Sequence, residues 1–285
     1  MKINNSAHCS TTSNHVDVVI PTFNETTNLV RAINSVKNQS SKVNRIIVID
    51  DGSNEEVTKF LSEEYKSDSL VELILKQHSG LPGVSRNLGI GLSTADWIAF
   101  LDADDYWDPR KLEVQLELAR SRSSDFVFSN ATMIDGQNQS PYFEQGSFAS
   151  TIGLRELLKS NSVINSSVLI RRNLLEQIGP YPESPKVRGV EDYATWLRAS
   201  TITKLHGTSD CLVYYQVSPT SLSRVEKSIT RTDAQRDFES WLKAKFRNRP
   251  LLFSILATIL LYKVEVFVNQ KIDKFTAPGR SKDSL

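Results

Sequence analysis

Residues 16–130 alternate short apolar strand patterns with stretches of helical spacing, which predicts an α/β fold with a mostly parallel central sheet flanked by helices. Two further observations support this. The apolar runs at 16–20 (VDVVI), 45–49 (RIIVI) and 97–101 (WIAFL) are short and rich in β-branched or aromatic residues, as buried strands are. Each stops on a proline or on aspartates, which read as turns.

The elements follow in order. Strand 16–20 ends at Pro21, and Leu29, Ile33 and Val36 place a helix over 24–37. Strand 45–49 ends at Asp50-Asp51-Gly52-Ser53, before a helix over 55–65. A third strand, 71–75, leads into a glycine-rich bend at 79–83 and a helix over 84–92. The fourth strand, 97–101, ends at Asp102-Ala103-Asp104-Asp105; a helix over 111–120 and a short strand at 126–129 follow. Beyond this point the pattern is mixed. Residues 130–162 read as loop with one helix at 154–159, then come a strand at 163–170, a helix at 191–199 and a strand at 212–217.

The expected organisation is a loose polar tail over 1–15, one compact domain over 16–223 and a helical extension over 224–285. The domain divides into a ligand-binding half, 16–130, and a second half, 131–223, that shapes the remaining site. The tail lacks the apolar core of a secretory leader, so a reducing cytoplasm is the expected compartment. Two cysteines, Cys9 and Cys211, make neither a disulfide framework nor a cysteine zinc site. Net charge is +1, from 34 Lys and Arg against 33 Asp and Glu, which speaks against a nucleic-acid partner. Gly89-Ile90-Gly91 fails as a dinucleotide fingerprint because Thr94 stands where the third glycine belongs, and no Walker A sequence occurs.

Ligands of such sheets bind beyond the carboxyl ends of the strands. That rule singles out the residues after each strand. Asp102 and Asp104 sit two apart, so an extended segment points both carboxylates the same way, where they can hold magnesium or manganese. Equally, aspartates before a proline are common turn and capping residues. Asp51 can accept from a base or ribose, or close a strand-to-helix turn. Arg86, past the glycine bend, suits a phosphate or a structural ion pair. Glu191 and Asp192 open a helix, where acids favour the dipole; one of them can instead serve as a general base facing a cleft. Trp196, four residues after Asp192, shares that helix face and offers a platform for a sugar ring.

Five segments stand in order: VDVVIPTFNE, IIVIDDGSNE, GLPGVSRNLGI, ADWIAFLDADDYWDPRKLE and GVEDYATWLR. Together they resemble the inverting family 2 glycosyltransferases of the Rossmann-like GT-A fold, over about residues 16–223. The resemblance implies transfer from a nucleotide-diphosphate sugar, commonly a UDP-sugar. It implies that Pro21, Thr22, Asn24 and Glu25 line the nucleotide pocket, with Asp51 at the base and Ser53 beside it. Arg86 is then near the diphosphate, Asp102 and Asp104 serve ribose and cation, and Asp192 is the catalytic base. Glu191 and Trp196 are expected on the acceptor. One departure is at Gln216, where many relatives carry an arginine followed by a histidine; Ser221-Leu222-Ser223 closes the segment.

The expected acceptor is a glycan or lipid-linked glycan in surface polysaccharide synthesis. A polyprenyl-phosphate sugar synthase and a non-catalytic nucleotide-sugar-binding protein are the alternatives. Lys243, Lys245, Arg247 and Arg249 precede the apolar run 251–262, so residues 241–268 read either as a membrane-surface anchor on the inner face of the cytoplasmic membrane or as a core or oligomer-interface helix.

Overall fold

The computed structural model describes residues 15–217, 230–246 and 254–266. The tail 1–14, Ser221–Ser223, Arg247, Arg249 and the last residues lie outside them. One sheet of ten strands organises the molecule. Its first half is the expected parallel array: β1 (Val16–Thr22), β2 (Arg45–Asp50), β3 (Val71–Leu75) and β4 (Trp97–Phe100), in the spatial order β3-β2-β1-β4. Helices α1 (Thr27–Lys37), α2 (Glu55–Tyr65) and α3 (Pro82–Leu92) make the crossovers. Val18, Val19 and Ile20 of β1 are fully buried, because a central parallel strand has helices on both faces.

Beyond β4 the sheet becomes mixed. A two-residue strand, β5 (Tyr106–Trp107), precedes α4 (Lys111–Arg122) and then β6 (Phe126–Asp135), which is longer than its apolar start predicts. It turns back through β7 (Asn138–Pro141), all of whose residues are exposed. That polar hairpin strand carries no apolar alternation, so the sequence alone reads it as loop. After β8 (Thr151–Ile152) and α5 (Leu154–Lys159), the expected strand over 163–170 divides. Asn165–Ser167 forms a 3₁₀ turn, and only Leu169–Arg171 pairs, as β9, antiparallel to β4 and β6. Then come α6 (Arg172–Ile178), α7 (Glu191–Ala199) and β10 (Leu205–Gln216), parallel to β6. The sheet therefore runs β3-β2-β1-β4-β9-β6-β10-β5.

The extension packs back on the domain. Helix α8 (Arg231–Lys245) lies against α7. Its Ala234, Phe238 and Leu242 are fully buried in the same core cluster as Phe100, Phe126 and Trp196. Arg198 of α7 fastens it, donating to Asp237 Oδ2 at 2.7 Å and to the Pro180 carbonyl at 2.7 Å. A further helix over 254–266 adds Ile255 and Ile259 to that core. Among the described residues, no helix is long and apolar enough to cross a membrane.

Candidate active site

In the order β3-β2-β1-β4, successive connections leave β1 in opposite directions. The crevice between the ends of β1 and β4 is thus a topological switch point, where α/β sheets bind ligands. A cleft of about 670 Å³ opens there. Pro21, Thr22, Phe23 and Glu25 enter it from the end of β1, Asp51 from β2, Ser85 and Arg86 from α3, and Asp102 and Asp104 from the end of β4. Asn165, Arg188, Glu191 and Asp192 line the other side.

Each loop is locked before any ligand arrives. Asp51 accepts from the Ser79 amide at 2.9 Å, the Ser79 hydroxyl at 2.8 Å, the Gly80 amide at 2.8 Å and the Lys76 ammonium. Burial pushes its carboxyl up, but these donors outweigh burial and hold it below the usual carboxylate range. The group expected at a base is therefore also the anchor of the 76–80 loop. Gly52 makes this approach possible: its φ is +74°, and a Cβ there would meet the His78 amide nitrogen at 2.6 Å. The His78 ring stacks on Phe23, with centroids 4.3 Å apart.

Asn24 and Ser53 do not line the cleft. They brace its rim: the Asn24 amide donates to Ser53 Oγ at 2.7 Å, and Asn24 Oδ1 accepts from the Asn54 amide at 2.9 Å. Glu25 caps α1 through the amides of Thr26 and Asn28. Thr22 and Ser85 also line the cleft, and their hydroxyls are buried with no hydrogen-bond partner.

Arg86 is the hinge pin of the site. Its Nη2 donates to Asp102 Oδ1 at 2.8 Å and its Nη1 to Glu191 Oε1 at 2.6 Å. Burial opposes its charge, but Asp102 and Glu191 more than compensate and keep it protonated. One guanidinium thus joins the two halves of the cleft. Asn165 Nδ2 adds a second bond to Asp102 Oδ1 at 2.9 Å. Ser166 Oγ accepts from the Asp102 amide and donates to Asp105 Oδ2 at 2.6 Å. Sequence reasoning missed this Asn165–Ser167 turn because its residues are short, polar and unpatterned; the one signal was the break that polar NSS makes in an apolar run. Gln216, at the altered segment, meets Asp105 Oδ1 through its backbone amide at 2.9 Å, a contact independent of its side chain.

One acceptor expectation is corrected. Trp196 points into the core, fully buried against Phe100, Phe126 and Tyr181, so it offers no face to a sugar. At the start of α7, the face it shares with Asp192 by spacing turns inward within one turn. Glu191 is 4% exposed and both its oxygens are engaged, one by Arg86 and one by the Gly189 amide at 2.6 Å.

Asp192 is left with one such bond, from the Tyr193 amide at 2.6 Å. Burial and the adjacent Glu191 carboxylate raise its pKa to about 7, against the opposing pull of Arg86. Across the cleft, burial and the charge of Asp102 raise Asp104 to about 6. A cation would relieve that repulsion. Among the described residues no three side chains converge on a metal, so Asp102 and Asp104 would need ligand oxygens to complete its shell.

Residues 17–179 match the family described as glycosyl transferase family 2. An uncharacterized glycosyltransferase of Rickettsia bellii is 31% identical over 201 residues, covering 68% of this chain and 27% of its own. TuaG of Bacillus subtilis, a glycosyltransferase assigned to teichuronic acid biosynthesis, is 28% identical over 211 residues, covering 73% of this chain and 81% of its own. This chain therefore spans about a quarter of the Rickettsia protein and most of TuaG. The Staphylococcus aureus TarS 1–349 structure in complex with UDP-GlcNAc superposes with a TM-score of 0.64 at 20% identity, over 83% of this chain and 67% of that one. The sheet order is thus that of a GT-A glycosyltransferase, and the chain belongs to glycosyl transferase family 2.

Proposed function

We propose that this protein transfers a sugar from a UDP-sugar to a hydroxyl of a glycan or lipid-linked glycan during bacterial surface polysaccharide synthesis, with inversion at the anomeric carbon. The observation that carries this reading is Asp192, a carboxylate raised to about 7 that lines the same cleft as Asp102 and Asp104. A group with that pKa is a suitable general base near neutral pH. TuaG's assignment to a cell-surface polymer supports the acceptor class, and the UDP-GlcNAc bound to TarS supports the donor.

Asp192 takes the proton of the acceptor hydroxyl as that oxygen attacks the anomeric carbon. The bond from that carbon to the diphosphate breaks on the opposite face, and UDP leaves with the electron pair. No sugar–enzyme bond forms. The nucleotide lies over Pro21, Thr22 and Phe23, with Phe23 as a stacking face for the base and Asp51 holding the wall beside it. Asp102 and Asp104 would hold magnesium or manganese, which would offset charge growing on the leaving diphosphate. Arg86 keeps Asp102 and the Glu191–Asp192 pair in register.

A membrane surface is the proposed platform. On the helix over 254–266, Ile255 and Ile259 face the core while Leu260 and Leu261 are 63% and 71% exposed. Residues 224–285 carry 13 Lys and Arg against 7 Asp and Glu. An exposed apolar stripe within a basic segment suits an anionic lipid surface.

The test is a screen of UDP-sugars with manganese and magnesium, reading UDP release with and without acceptor. Release that depends on the cation and on Asp192 is expected. Absence of binding or turnover with every nucleotide sugar overturns the reading.

A further inference from the structure

With Trp196 sunk in the core and Glu191 paired to Arg86, the acceptor side of the cleft needs another contact for a sugar. Two strongly exposed aromatic rings line the cleft. Phe23, 47% exposed, stacks on His78 of the loop that Asp51 anchors. Tyr142, 41% exposed, belongs to the other side, where Asn161, Val163, Arg188 and Asp192 line the wall.

Tyr142 is built as a fixed surface. It follows β7 directly, and its amide donates to the Ala131 carbonyl at 2.8 Å. The next residue is clamped on both sides by Asn130, which is 3% exposed: Nδ2 donates to the Phe143 carbonyl at 2.9 Å, and Oδ1 accepts from the Phe143 amide at 3.1 Å. Near-perpendicular ring contacts with Phe143, 4.9 Å between centroids, and Tyr215, 5.9 Å, set its tilt. Tyr142 and Asp192 line the same cleft, and burial, then the charge of Asp192, push the phenol pKa up. A rigid, half-open aromatic beside a base is the arrangement that receives the apolar C–H face of a sugar while leaving its hydroxyls free.

We propose that Tyr142 is the acceptor platform: the ring of an acceptor saccharide stacks on it and turns one hydroxyl toward Asp192. This rests on the glycosyltransferase reading above and adds the class of acceptor group, a saccharide ring rather than an open-chain polyol. The phenol face, not its hydroxyl, does the binding.

The test uses the full chain with UDP and reads saturation-transfer magnetic resonance from methyl β-glycosides of glucose, galactose and N-acetylglucosamine, with glycerol as a ringless polyol. At least one glycoside should show saturation at its ring protons with wild type, with Tyr142→Phe and with Tyr142→Trp. Tyr142→Ala should lose that signal at least fivefold while UDP signals stay unchanged, which also shows that the variant is folded. Equal glycoside signals in wild type and Tyr142→Ala overturn the proposal, as does a wild type that saturates no glycoside or only glycerol. Failure of UDP itself to bind wild type sinks the donor reading instead, and the glycoside arm is then read without nucleotide.

Discussion

Asp192 and Arg86 show how neighbouring charges set a residue's task. Both carboxylates of the Glu191-Asp192 pair open α7, yet Glu191 is paired with Arg86 and Asp192 is not. The unpaired one is raised to about 7 by burial and by its neighbour. A base works when deprotonated, so the turnover rate should rise with pH up to about 7 and level off above it. Asp192→Asn should remove that limb and lower kcat by about 10²–10⁴-fold, the usual worth of a general base. A pH profile of UDP release in both proteins checks this. Arg86→Gln removes the charge and the two separate N–H bonds to Asp102 and Glu191. It should lower kcat and shift the Asp192 limb upward, because a nearby positive charge lowers that pKa. An unmoved limb would show that Arg86 has no hold on the base. The sequence allowed Arg86 an aspartate partner, which is Asp102, but its pairing with Glu191, 105 positions away, was not legible.

At the scale of elements, α3 illustrates what spacing reveals and conceals. Its existence follows from residues 79–92, and the structure extends it back to Pro82, a residue suited to the first helical position. Its reason for Gly83 does not follow. A Cβ there would meet the Pro182 carbonyl at 2.7 Å and Glu191 Cγ at 3.5 Å, so the glycine lets α3 approach the segment that leads into α7. Gly83→Ala should destabilise by about 1–3 kcal/mol, as overpacking does, and should weaken catalysis further by displacing Glu191. Thermal denaturation and UDP release, measured together, check both effects. Strands β1, β2 and β4 were readable because both faces are buried and their sequences are mostly apolar, and β3, half-exposed at the sheet edge, from its run VELIL. The exposed β7 and the Asn165–Ser167 turn were not, because their conformation comes from partners elsewhere in the fold.

At the scale of the molecule, the extension is part of the main core. Arg198, Asp237 and the buried face of α8 join it to α7, the helix that Glu191 and Asp192 open. The helix over 254–266 is held at its polar edge as well, where Lys263 pairs with Glu239 and Arg155 with Glu265. Its outer stripe can be changed without touching that core. Leu260→Asp with Leu261→Asp should leave the thermal midpoint within a few degrees of wild type, as exposed substitutions do, and should abolish sedimentation with anionic vesicles. Undiminished vesicle binding would remove the membrane platform while leaving the glycosyltransferase reading intact.

The sequence by itself determined the α/β class, the four parallel strands and the carboxylates waiting at their ends. These are properties of short stretches, where burial writes a continuous apolar run and turns write aspartate, glycine and proline. The tertiary structure alone decided which acid is paired with Arg86 and which is not. It also sank Trp196 into the core, left Tyr142 exposed in the cleft and drew the C-terminal helices into the core. Those outcomes depend on distances between residues far apart in the chain, and a linear pattern carries no record of which side chain reaches which.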